Sequence, residues 1–176
     1  MRIPPAPLDG PDASTEAVAR LNELRSGRIG NLYRSLLHSG PLAVGWAELG
    51  TAVRFRSSLD DRLRELIICQ VVAMTQTVYE WNVHAPLALA AGVTQAQLDA
   101  LPDWRDEPSF TDSDRAVLSL TTAVVAHTVT DQEMDAVKGH FSTSETVEIT
   151  VTASYYVAVS RVLQAFGLAG DGPRSA

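Results

Sequence analysis

Apolar positions recur along the chain with helical spacing, and hydroxyl and acidic residues stand at the head of each recurrence. Thr94-x-x-Gln97, Thr130-x-x-Glu133 and Ser142-x-x-Glu145 fit the capping box, in which an N-cap hydroxyl and an acid or amide three residues on satisfy each other's backbone donors. Ser58-x-x-Asp61 and Thr111-x-x-Asp114 are shorter-armed versions. Ser14 can cap a first helix that Glu16 favours, although Ala17 leaves its box open. The spacing predicts helices over 14–26, 30–38, 41–55, 60–75, 77–91, 95–101, 112–127, 131–140 and 143–166. Gly27, Gly40, Gly92 and Gly167 fall at or near helix ends, and Pro41 suits a first turn. Pro86 lies inside 77–91 and predicts a kink or a late start. TVTASYYVAV has local β character, but no turn residue interrupts Glu145 to Phe166, so that stretch is read as helix. The fold class is all-α.

Residues 60–75, DDRLRELIICQVVAMT, are apolar almost all round after a charged first turn, the pattern of a central core helix. Glu65 sits at the edge of that run, where a carboxylate must find a partner or become neutral. Prolines make residues 1–13 an extended arm. PDWRDEPSF, 102–110, reads as a polar link between two helical halves of a single domain, 14–168, and 169–176 as a flexible tail.

Composition narrows the function without choosing it. A chain of 176 residues with 45% hydrophobic content can bury a core. A formal net charge of -7, with no basic stripe, argues against nucleic acid as a partner. No apolar run is long enough to cross a membrane, and no secretory signal precedes the first helix, so the expected location is cytoplasmic. Cys69 is the only cysteine, so no intrachain disulfide can form.

The candidate chemistry lies in TQTVYEWNVH. Glu80 and His84 are four apart and share a helix face, with Thr77 three residues before Glu80. A turn near Thr75-Gln76 would fold the preceding helix back and bring Glu65 to them, with Cys69 one turn further along. Two carboxylates around one histidine can form a proton relay. They could instead be a helix-start carboxylate and a core histidine bonded to a backbone carbonyl. Carboxylate-bridged metal would want a second Glu-x-x-His copy, which the chain lacks, so neither metal nor other cofactor is expected.

The stretch from LLHSGPLAVGWAELG through DDRLRELIICQVVAMTQTVYEWNVHAPLALAAGV resembles the carboxymuconolactone decarboxylase-like superfamily, which includes alkylhydroperoxidase D. The resemblance covers about residues 30 to 168 and is most specific over 58 to 93. It implies a helical bundle built around a core helical hairpin, assembled as a homo-oligomer: a dimer, trimer or hexamer. In the alkylhydroperoxidase D branch a glutamate, a Cys-x-x-Cys pair and a histidine reduce peroxides. The glutamate falls on Glu65 and the histidine on His84, while Thr77 and Glu80 stand where the two cysteines would be. Peroxide reduction requires a thiolate. What remains is acid–base equipment, so the resemblance implies an enzyme that carries out lyase or isomerase chemistry on a small carbonyl or carboxylate compound through Glu65, Glu80 and His84. The alternatives are a peroxiredoxin-type oxidoreductase using Cys69 or an outside thiol, and a non-catalytic small-molecule-binding or assembly protein.

Tyr156 is a candidate to border the site, Tyr155 beside it less so. Arg54, Arg56, Arg62 and Arg64 form a basic cluster, from which Arg62 or Arg64 would be the arginine to enter a pocket. Trp81 faces away from Glu80 and suits a subunit interface, and Trp46 and Phe55 suit core or interface positions. His38, His127 and His140 lie near helix ends and read as structural.

Overall fold

The computed structural model describes residues 1–10 and 14–168; the remainder of the expected arm and the expected tail at 169–176 lie outside the described residues. Each predicted helix forms. They are α1 (Thr15–Leu24), α2 (Asn31–Leu36), α3 (Gly40–Thr51), α4 (Asp61–Thr75), α5 (Val78–Ala90), α6 (Gln95–Asp99), α7 (Asp112–Ala126), α8 (Asp131–Lys138) and α9 (Thr143–Phe166). Among the described residues there is no strand, and no helix is long and apolar enough to cross a membrane.

The chain forms two compact units. Among the described residues, one comprises Met1–Arg56 with 161–168, the other Ser57–Ser160. In the first, Leu21 and Ala17 of α1 pack with Leu37, Ala43 and Ala47. A Cβ on Gly40 would lie 3.1 Å from that of Ala17, so glycine sets the approach of α3 to α1. Residues 1–10 contain no helix or strand and are stitched to α2: Ala6 N–H donates to the Arg34 carbonyl, and Arg34 Nε returns a bond to the Ala6 carbonyl. His38 donates from Nε2 to the Pro4 carbonyl, so it ties the arm down as well as standing at a helix end. Phe55 is 64% exposed, which removes it from the core.

The larger unit is built on the α4–α5 hairpin, with α7 packed on α4. Leu66 and Cys69 of α4, Ala88 of α5, Leu98 of α6 and Leu118 of α7 meet Trp104 and Phe110 from the connecting segment. Trp81 is half-buried against this cluster. The hairpin turns on Gln76, which caps α4 in the left-handed region at φ 53°. That geometry lets Gln76 and Thr77 donate back to the carbonyls of Ala73 and Val72.

Four of the predicted capping boxes close as read, at Thr94, Thr111, Thr130 and Ser142. The fifth does not. Asp60, not Ser58, caps α4, accepting from the backbone of Arg62 and Leu63. Ser58 is held instead by Glu148 of α9, which accepts from its backbone and hydroxyl. A charged acceptor beside the free donors displaces the hydroxyl. Pro86 does not delay α5, which starts at Val78 and runs through it; the freed carbonyl is that of exposed Asn82, which water can satisfy. In α9 the β-rich TVTASYY stretch is helical. Thr146, Thr150 and Ser154 each bond the carbonyl four residues back, which settles their hydroxyls inside the helix.

Candidate active site

The α4–α5 turn places Glu65 opposite the first turns of α5, where Glu80 and His84 share a face. All three side chains are buried. His84 Nδ1 lies 2.6 Å from Glu65 Oε2, and His84 Nε2 lies 3.2 Å from Glu80 Oε2. Both ring nitrogens of one imidazole therefore face carboxylate oxygens.

This fixes the proton inventory. An ionised carboxylate only accepts, and a neutral imidazole donates from one nitrogen only. Satisfying both contacts needs an imidazolium between two carboxylates, or a neutral imidazole with one carboxyl protonated. The two forms hold the same number of protons and differ by the movement of one. Burial works to lower the pKa of His84, but the hydrogen bonds and charges of Glu65 and Glu80 outweigh it and hold the imidazole above its ordinary range.

The triad's neighbours come from α4 and α9. The Tyr156 ring stands edge-on to His84 at 5.0 Å between centroids, and Tyr155 stands edge-on to Tyr156. Arg64 is nine-tenths buried, with Nε 3.9 Å from Glu65 Oε1 and NH2 2.8 Å from Asp61. Arg62 turns elsewhere: it forks onto both oxygens of Asp114, tying α4 to α7.

Thr77 is buried at the head of α5, but its hydroxyl faces Thr75, whose own hydroxyl bonds Ser160 of α9. Sequence reasoning missed Thr75 and Ser160. The available signal was that Ser160 is four residues from Tyr156 on one helix, so the two share a face. Cys69 is fully buried in the core cluster, and burial first, then the charge of Glu65, pushes its thiol up to about 12. It is a thiol, not a thiolate, at neutral pH.

Among the described residues no group of three or more His, Cys, Asp or Glu side chains is arranged to hold a metal ion. Both nitrogens of His84 are already directed at carboxylates. A groove of about 640 Å³ between α1 and α3, lined by Arg20, Glu23 and Glu48 among others, belongs to the first unit and contains none of these residues.

The Carboxymuconolactone decarboxylase family matches residues 41–123. The chain is 26% identical over 131 residues to the uncharacterized protein YnjA of Escherichia coli (strain K12), covering 73% of this chain and 69% of that one. The fold matches the alkylhydroperoxidase AhpD core of an uncharacterized peroxidase-related protein from Ralstonia eutropha, with TM-score 0.77, 17% identity, and 98% and 94% of the two chains covered. It also matches the debrominase Bmp8, with TM-score 0.76, 17% identity, and 97% and 92% covered. A further structure of that debrominase holds 2,3,4-tribromopyrrole.

Proposed function

We propose, from the match of residues 41–123 to the Carboxymuconolactone decarboxylase family and the AhpD-like fold, that this chain is a member of the carboxymuconolactone decarboxylase and alkylhydroperoxidase D-like superfamily and a cofactor-independent lyase or isomerase. Its substrate is a small carbonyl or carboxylate compound, and its chemistry is proton transfer at carbon. The observation that carries this reading is the His84 ring held between Glu65 and Glu80. A debrominase of similar fold holds a small pyrrole, which supports a small-molecule substrate.

In the reaction, the electron pair released when a carboxylate leaves as carbon dioxide, or when a C–H bond breaks, delocalises onto the substrate's own carbonyl. The proton goes to or comes from the triad. All three side chains are buried, with Glu80 the least so at 8% exposed, and in this reading substrate meets the triad there. His84 then resupplies or drains Glu80 through Nε2, while Glu65 holds Nδ1 and the ring orientation.

Peroxide reduction is the weaker reading, because Cys69 is buried and its thiol is held up to about 12. A cytoplasmic homo-oligomer is part of the proposal; exposed Val78, Leu87 and Leu89 on α5 support the assembly. The test is a panel of β-keto acids, lactone acids and α,β-unsaturated acids in deuterated water, read by NMR for decarboxylation, double-bond migration or C–D exchange. The expected result is turnover of one class by the wild type, retained in Cys69→Ser and lost in His84→Gln. Thiol-dependent peroxide reduction that disappears in Cys69→Ser would overturn it.

A further inference from the structure

The triad is close to symmetric in connectivity, with one carboxylate oxygen on each ring nitrogen. Acid–base work at Glu80 requires that symmetry to be broken, so that one carboxylate stays an anion and the other shares the mobile proton. Among the described residues, ionisable groups that stand against the triad include Arg64 and Cys69 from α4 and Tyr156 from α9. Cys69 stays neutral at working pH, since its thiol is pushed up to about 12. Arg64 is the cation of this set, and it stands on the Glu65 side. Its Nε is buried without a hydrogen-bond partner and lies 3.9 Å from Glu65 Oε1, the oxygen that His84 does not use. Among the described residues, Glu80 has no arginine or lysine at ion-pair distance. A buried guanidinium at that range acts mainly as a charge, and in a poorly screened interior a charge selects which neighbour is ionised.

We propose that Arg64 is a positioning residue that fixes Glu65 as the anion of the triad and so leaves the mobile proton between His84 and Glu80, making Glu80 the group that exchanges a proton with substrate carbon. This deepens the acid–base reading above and rests on it for its catalytic meaning. The proton balance is simple. His84 passes the Nε2 proton to Glu80, Glu80 delivers that proton to the carbanion carbon, and the imidazole, neutral with Nδ1–H kept on Glu65, regains its Nε2 proton from water. Glu65 remains an anion throughout, and Arg64 supplies no proton. Asp61, 77% exposed, holds the other end of the guanidinium at 2.8 Å and keeps its position without competing for the buried end.

The experiment needs no substrate. Carboxyl carbon shifts of Glu65 and Glu80, and ring nitrogen shifts of His84, are followed by NMR against pH in the full-length chain. In the wild type, Glu65 is expected at the ionised position throughout the neutral range, with Nδ1 carrying a fixed proton. Glu80 and Nε2 are expected to move together. Arg64→Gln should even out the two nitrogens and raise the His84 midpoint by about one pH unit, because removing a cation lets the triad keep its proton longer. Arg64→Lys should restore the wild-type pattern. If Arg64→Gln does not fold, Arg64→Met, of similar length, takes its place. Protonated-carboxyl shifts on Glu65 in the wild type overturn the proposal whatever the variants do. So does a folded Arg64→Gln with unchanged ring shifts and midpoint. A merely structural role for Arg64 would lower stability and leave these shifts alone. Failure of the substrate panel would sink the enzymatic reading and leave this result standing, so the two are separable.

Discussion

His84 Nδ1 and Glu65 Oε2 meet at 2.6 Å across the α4–α5 hairpin, nineteen residues apart in the chain and both buried. The contact is short even for a charge-assisted bond, and it fixes the imidazole so that Nε2 points at Glu80. The orientation of the whole site therefore depends on the hairpin turn and on one carboxylate of the core helix.

Replacing His84 with Gln removes the titrating ring and keeps polar volume. Turnover of the identified substrate should fall by roughly 10³-fold, the usual weight of a general acid–base group. Glu80→Gln should cost a similar amount in kcat, since in the proposed reaction it exchanges the proton with substrate, while the fold stays intact by circular dichroism. Wild-type rates in either variant would remove the relay.

The imidazole also makes stability depend on pH. Burial lowers its pKa, but the bonds to Glu65 and Glu80 outweigh that, and the folded value lies above the ordinary imidazole value of 6.5. A raised folded pKa means a stabilising contribution that is fully present below 6.5 and lost as pH rises through the folded value. Urea unfolding at about pH 6 and about pH 9 should show the wild type losing its advantage over His84→Gln on the alkaline side. A difference that is flat or grows with pH would contradict the assignment.

Cys69 should be silent. With the thiol fully buried and held up to about 12, it should resist a thiol-blocking reagent in the folded chain and react at once on unfolding. Cys69→Ala should cost about 1–2 kcal/mol from the lost core contacts and leave turnover unchanged. Rapid modification of the native protein would mean that the α4 core opens far more readily than its packing implies.

Much of this was legible in the sequence because it is local. Helix spacing put Glu80 and His84 on one face, and the Thr75-Gln76 turn predicted the return of Glu65. Capping boxes located α6, α7, α8 and α9 because cap and partner lie three residues apart. The misses are long-range. Arg62 could not be removed from the site without knowing that Asp114, 52 residues on, would take its guanidinium. Ser58 lost its cap role to Glu148, 90 residues away. Periodicity carries no information about such partners, nor about Phe55 standing exposed beside Arg54.

The hairpin turn offers a test of the fold that positions the site. Gln76 adopts φ 53° and ψ 39°, the left-handed region, where a Cβ crowds its own backbone at a cost of about 1 kcal/mol. Its side chain is exposed, so little packing repays that strain. Gln76→Gly should relieve it, and the gain is reduced by the larger entropy of a glycine in the unfolded chain. The net expectation is a stabilisation of roughly 0.5 kcal/mol, seen as a small rise in urea midpoint with the slope unchanged. Gln76→Val should go the other way by about 1–2 kcal/mol, because a β-branched side chain suffers most in this region. Because the turn sets where α5 begins, Gln76→Val should also disturb the His84 ring nitrogen shifts, while Gln76→Gly leaves them in place. If both variants left stability unchanged, the left-handed cap would not be what holds Glu65 opposite His84.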